Sequence, residues 1–97
     1  MKVQYSARAA AEYKTIARYY KNIDHLVAGA VAHDIRKTVK LLSRHPSIGK
    51  SQDVQDIRRT ISPRYGYLIY YREVPGSHFI EIVTILHGRQ ERPYNDN

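Results

Sequence analysis

IRRTISPRYGYLIYYREVPGSHFIEIVTILH, residues 57–87, is where the chain changes its period. Three runs within it, residues 57–61, 67–74 and 78–86, are rich in β-branched and aromatic side chains, which pack well on a pleated surface. Turn signals at Ser62-Pro63 and Pro75-Gly76 separate them. Proline followed by glycine suits the two central positions of a type II turn, so the second and third runs are expected to form a hairpin. The loop length leaves its register open. With a two-residue loop, Leu68, Tyr70 and Arg72 share a face with Glu81, Val83, Ile85 and His87; with Ser77 in the loop, Tyr67, Ile69 and Tyr71 take their place. In either register the period of two puts Glu81, Ile85 and His87 on one side of the last strand. The near-continuous apolar run FIEIVTIL implies a sheet buried on one side and at least partly covered on the other.

Upstream the pattern is helical. KVQY, residues 2–5, reads as a short first strand, after which Ser6 can cap a helix. Ala9, Tyr13, Ile16, Ala17 and Tyr20 recur at helical spacing and predict a helix over residues 7–21 with one buried stripe. Asp24 is suited to cap a second helix whose stripe is Ala28, Val31, Ile35, Val39 and Leu42, with Arg36, Lys37, Lys40 and Arg44 on its other face. Proline disfavours the helical region for the residue before it, so Pro46 ends this helix at His45. A connection of a few residues at Asn22–Asp24 forces the two helices into an antiparallel hairpin, with Gly29 as the expected point of close approach. Ser47 to Asp56 reads as a polar linker between the helical and strand-rich halves. The fold class is therefore α+β, in the order β-α-α-β-β-β, with the helical hairpin on one face of a mainly antiparallel sheet.

At 97 residues the chain is expected to form a single domain, able to bury about two thirds of the surface its unfolded form exposes. Hydrophobic residues at 42% and charged residues at 26% exclude the composition of a disordered chain. The absence of cysteine rules out disulfides and thiolate metal sites and fits a cytoplasmic location. No secretory leader or membrane-length apolar run is visible. The net charge of +7 is uneven, with ten Lys/Arg against three Asp/Glu in residues 1–50 and six against six in residues 51–97. Such an excess favours acidic partners, either nucleic acid or an acidic protein segment, although a solvated basic helix face has the same composition.

No spacing supports a metal or cofactor site. His-Glu-x-x-His, a glycine-rich phosphate loop and a Gly-x-Ser-x-Gly elbow are all absent. His25 and His33 stand two helical turns apart, too far to share one ion from that helix alone. What remains is a set of cations on the last three strands and the tail: Arg58, Arg59, Arg64, Arg72, His87, Arg89 and Arg92. Arginine forks grip phosphate or carboxylate, and histidine can exchange a proton near neutral pH. That chemistry suits metal-free cleavage of RNA, and it equally suits gripping an acidic protein.

The element order, HPSIGK at residues 45–50, IRRTISPRYGYLIYYREV and the closing IVTILHGRQ together resemble the ParE/RelE toxin superfamily over nearly the whole chain. The resemblance implies the toxin of a bacterial type II toxin-antitoxin pair, bound by a ParD/RelB-like antitoxin with an acidic, partly helical segment in a hetero-oligomer. RelE-like members cleave mRNA on the ribosome, whereas ParE-like members poison DNA gyrase. The ribonucleases carry an arginine in the middle strand and commonly a tyrosine near the end of the last; the aligned positions here are Tyr67 and Gly88. Tyr67 also departs from the Tyr-Arg usual in ParE, but the Leu86-His87-Gly88-Arg89 ending looks more like that branch.

The expectation is thus a non-enzymatic, ParE-like gyrase inhibitor without metal or cofactor, contacting its target through Arg58, Arg59, Arg72, His87, Arg89 and Arg92. A RelE-like ribonuclease would instead use Arg58, Arg59 and Arg72 on phosphate, with His87 or Tyr94 moving a proton. A third reading is a protein-binding module without toxicity. The polar end YNDN shows no packing pattern, which leaves the order of the residues after Pro93 open.

Overall fold

Ser6 both ends the first strand and starts the first helix in the computed structural model, which describes residues 1–96. Its backbone N–H donates to Ile82 O (2.9 Å) and its hydroxyl to Val83 O (2.8 Å), while the hydroxyl accepts the N–H of Ala9 (3.0 Å). β1 (Lys2–Tyr5) leads through this residue into α1 (Ala7–Lys21). The Asp24 carboxylate accepts from Leu26 N and Val27 N and opens α2 (His25–Arg44). That helix stops at His45, ahead of Pro46.

The strand-rich half holds β2 (Lys50–Ser51), β3 (Arg58–Ile61), β4 (Tyr67–Glu73) and β5 (Phe79–His87). β2 lies inside the stretch expected to be a linker, and its two residues pair antiparallel with Arg59 and Arg58. So short a strand has no pattern of its own to read; its partner defines it. The sheet runs β1-β5-β4-β3-β2, with β1 parallel to β5 and every other pair antiparallel. Past Tyr5 the edge of β5 has no neighbouring strand, and Glu12 of α1 takes its place. The Glu12 carboxylate accepts the N–H of Ile85 (3.0 Å) and the hydroxyl of Thr84 (2.7 Å).

The hairpin turn is as expected around Pro75 and Gly76: Gly76 has a φ of 73° and Ser77 N donates to Val74 O. The register follows neither alternative throughout. Arg72 faces Glu81 near the turn, but beyond a bulge at Tyr70/Tyr71, where Val83 on β5 has no opposite residue, Ile69 faces Ile85 and Tyr67 faces His87. One extra residue reverses the alternation of the rest of β5. Glu81 and His87 therefore point to opposite faces, against the expectation that they share one with Ile85. A bulge leaves no mark in a run that is apolar at nearly every position, because either alternation keeps apolar side chains on both faces.

Each face of the sheet has its own core. The helices bury Ala9, Val31, Ile35, Val39 and Leu42 against Tyr67, Ile69, Tyr71, Ile80, Ile82 and Ile85. The opposite face, which carries no helix, gathers Ile57, Leu68, Tyr70 and Leu86, with Val83 and Tyr94 packed on them. Gly29 is not a point of close approach, since a Cβ there meets nothing within 4 Å. Gly49 is. A Cβ on it would stand 2.5 Å from the Tyr71 hydroxyl oxygen and 2.9 Å from Arg59 O. That crowding accounts for glycine in the HPSIGK stretch.

Candidate functional site

Arg58 and Arg59 are neighbours in sequence and belong to opposite faces. Arg58 stands opposite Tyr71, on the helix-covered face, and Arg59 opposite Tyr70, on the other. Arg58 Nη1 donates to Gly49 O (2.8 Å), fastening β3 to the segment after α2. The Tyr71 hydroxyl donates to Pro46 O and accepts the N–H of Gly49, both at 2.8 Å. Burial raises the pKa of Tyr71, with the Gly49 hydrogen bond pulling the other way. A cleft of about 290 Å³ opens here, bounded by Pro46, Asp56, Arg58 and Glu73.

Arg72 pairs with Glu81 (3.2 Å). His87 lies six residues further along β5 and across the sheet, roughly 20 Å away at about 3.3 Å per residue. Its ring meets Tyr67 edge-on (5.6 Å between centroids), and the Tyr67 hydroxyl donates to that of Tyr20 on α1 (3.2 Å). Burial, then the Tyr20 hydroxyl, drive the Tyr67 pKa far above the ordinary phenol range. His87 Nδ1 accepts the N–H of Arg89 (3.2 Å), and Gln90 closes the turn onto His87 N. Arg89 and Arg92 are exposed. Arg64 lies over the ring of Tyr65. The cations singled out from sequence are thus spread over both faces and both ends of the sheet. Among the described residues no group of three or more His, Cys, Asp or Glu is placed to hold a metal ion.

Three arrangements had no sequence signal. Asp34, buried on α2, accepts the N–H groups of Arg64 (3.2 Å) and Tyr65 (2.9 Å) and so fixes the β3–β4 turn. Asp96 joins Lys50 (3.1 Å), Arg59 (3.3 Å) and Gln52 Nε2 (2.9 Å) on the face without helices. Tyr94, weighed above as a proton carrier, packs on Tyr70 with 5.4 Å between ring centroids. A single acid or tyrosine in a polar tail has no period by which to read its partner.

The basic face of α2 does border a site. A groove of about 860 Å³ runs between α2 and the edge of β3, with Leu41, Ile61 and Pro63 among its apolar lining and Arg36, Lys37 and Arg44 among its basic lining. Leu41 and Ile61 are 43% and 47% exposed and both line this one groove.

The same helical hairpin on a five-stranded mixed sheet is found in solved toxin-antitoxin complexes. One solved relative, described as the "Chromosomal ParDE TA system from P. aeruginosa", superposes with a TM-score of 0.75 at 22% identity, covering 90% of this chain and 95% of the other. The "intact E. coli RelBE toxin-antitoxin complex" gives 0.67 at 13% identity, covering 92% and 98%. No curated protein matches the sequence. The family model described as "ParE toxin of type II toxin-antitoxin system, parDE" matches residues 3–92, and the chain belongs to that family.

Proposed function

We propose that the chain is a ParE-like toxin that inhibits DNA gyrase by protein contact in the cytoplasm and is neutralised by a cognate antitoxin. The observation that carries this reading is the match to the ParE toxin family over residues 3–92. The scatter of the cations supports contact over catalysis: Arg58 and Arg59 take opposite faces, Arg72 is paired with Glu81, and His87 lies at the far end of β5. The groove beside α2 suits the antitoxin. Its apolar floor and basic rim fit an amphipathic helix with acidic flanks, which would bury Leu41 and Ile61 while its charges speed the encounter. No helix among the described residues is long and apolar enough to cross a membrane.

Adding the purified protein to gyrase is expected to lower its supercoiling activity, and unchanged supercoiling at saturating protein would sink the proposal. A translation extract run in parallel should keep its message intact. Message cut on the ribosome, with the cut lost in His87→Ala, would establish the RelE-like alternative instead. Harmless expression without an antitoxin would point to a binding module.

A further inference from the structure

The face of the sheet without helices carries a compact polar cluster of which the proposed function draws on Arg59 alone. Lys50 stands directly opposite Arg59, and Arg59 opposite Tyr70. Gln52 joins them from the residue after β2. Gln52 is 1% exposed, Tyr70 0%, and the Arg59 side chain 10%. Gln52 Oε1, Arg59 Nε and the Tyr70 hydroxyl have no hydrogen-bond partner, and they are the three buried side-chain polar atoms among the described residues of which this is true. A buried polar group left unpaired costs about 1–3 kcal/mol, so three in one place mark a surface incompletely matched by what now covers it.

That cover is the segment Tyr94–Asp96. Tyr94 lies on the Tyr70 ring. Asn95 hydrogen-bonds Asp53 in both directions, its N–H donating to Asp53 Oδ1 (3.0 Å) and its carbonyl accepting the N–H of Asp53. The two Asp96 carboxylate oxygens share Lys50, Gln52 and Arg59. We propose that Lys50, Gln52, Arg59 and Tyr70 form a recognition site for an extended peptide of a protein partner, with an aromatic residue two positions before an acidic one, and that Tyr94–Asp96 occupies it as a displaceable strap.

The chemistry of the site selects a peptide over a nucleic acid. Lys50 and Arg59 would take either a carboxylate or a phosphate. Asp53, beside them, takes an amide N–H and repels a polyanion. The hydrogen bonds to Asp53 N and the bridge between Gln52 and Asp96 require a peptide backbone running along β2, the geometry of strand addition at a sheet edge. The edge of β2 offers two residues of strand, so side-chain contacts must supply much of the affinity. The site shares only Arg59 with the gyrase reading, and because its test reads peptide binding and not supercoiling, either could fail alone.

The test uses the full chain and an end-capped synthetic peptide of residues 91–96. In the unaltered protein the strap competes at an effective concentration on the order of millimolar, as a short tether does, so the peptide should bind weakly. Combining Tyr94→Ala with Asp96→Asn should raise peptide affinity at least about tenfold, with shifts in the Gln52 side-chain amide and Arg59 Nε–H resonances. Adding Lys50→Ala, at an exposed side chain, should reduce the gain. Equal affinity with and without the strap substitutions, or a gain that Lys50→Ala leaves unchanged, would overturn the proposal. So would tighter binding of oligothymidylate or inorganic phosphate than of the peptide at the same resonances, which would make this a phosphate site.

Discussion

The two faces of the sheet are held by different means. On one, α2 lays a periodic stripe of Val31, Ile35, Val39 and Leu42 across Ile69, Ile80, Ile82 and Ile85, and each buried side chain contributes about 1.5–3 kcal/mol. On the other, Tyr94 packs on the cluster of Tyr70, Leu68 and Ile57, and beside it the Asp96 carboxylate is shared among Lys50, Gln52 and Arg59. Of its two ion pairs, the one to Lys50 is exposed on the lysine side, and exposed pairs contribute little, about 0–1 kcal/mol at the median. The larger, periodic core is on the helix face, and on the other face the segment Tyr94–Asp96 is the part of the cover held by the fewest apolar contacts.

The sharpest way to break that contrast is to remove comparable bulk from each face. Ile35→Ala, at a fully buried position, is expected to cost about 2–5 kcal/mol in urea unfolding. Tyr94→Ala should cost no more than about 0.5–1.5 kcal/mol, the scale of an aromatic pair at the surface. Similar losses for both would mean that the tail is part of the fold's main core.

Gly49→Ala tests where the two faces are joined. A methyl group there meets the Tyr71 hydroxyl on one side and the Arg59 carbonyl on the other, and that carbonyl is backbone that cannot swing away. A loss of about 1–3 kcal/mol is expected from overpacking. Because Tyr71 would have to give up Pro46 O or Gly49 N, the unfolding loss should be accompanied by a shifted Tyr71 ring resonance. A substitution that left both unchanged would show that the segment after α2 is loosely attached.

The helix face was legible in the sequence because its physics is periodic. Ser6, Asp24 and Pro46 mark ends by local chemistry, and the stripes from Ala9 and Ala28 repeat every three or four residues. The type II turn at Pro75-Gly76 was legible for the same reason. The tail face was not. β2 exists only through its partner, the bulge at Val83 hides in an apolar run, and Asp96 finds Lys50, Gln52 and Arg59 from some forty residues away in the chain. Arg58 and Arg59 show the limit most plainly: composition grouped them as one cationic site, and alternation sends them to opposite faces. The basic side of α2 is visible as a charge pattern, but the groove beside it depends on Ile61 and Pro63 from the other half of the chain.

The smallest expected effects are in pH, and the two faces should differ in sign. Burial raises the pKa of Tyr67, Tyr71 and Tyr5 in the folded chain. Groups whose folded pKa is raised contribute stability that is complete below the ordinary phenol value of about 10 and is lost as the pH rises through the folded pKa. The urea midpoint should therefore hold from pH 7 to 9 and fall above about 10, and this is a global loss because Tyr67 and Tyr71 sit in the helix-side core. Asp96 is shifted the other way, its carboxyl held below the usual range by the Gln52 amide first and then by Lys50, with Arg59 adding to the effect. What it contributes is present above the ordinary carboxylate value of about 3.9 and is lost as the pH falls through the depressed folded one. Acidification should move the Gln52 side-chain amide resonances and free the Tyr94 ring while the amide of Ile35 stays protected from exchange. If the Ile35 amide loses protection in the same acid range, strap and helix face open as one cooperative unit, and the tail is no more displaceable than the core.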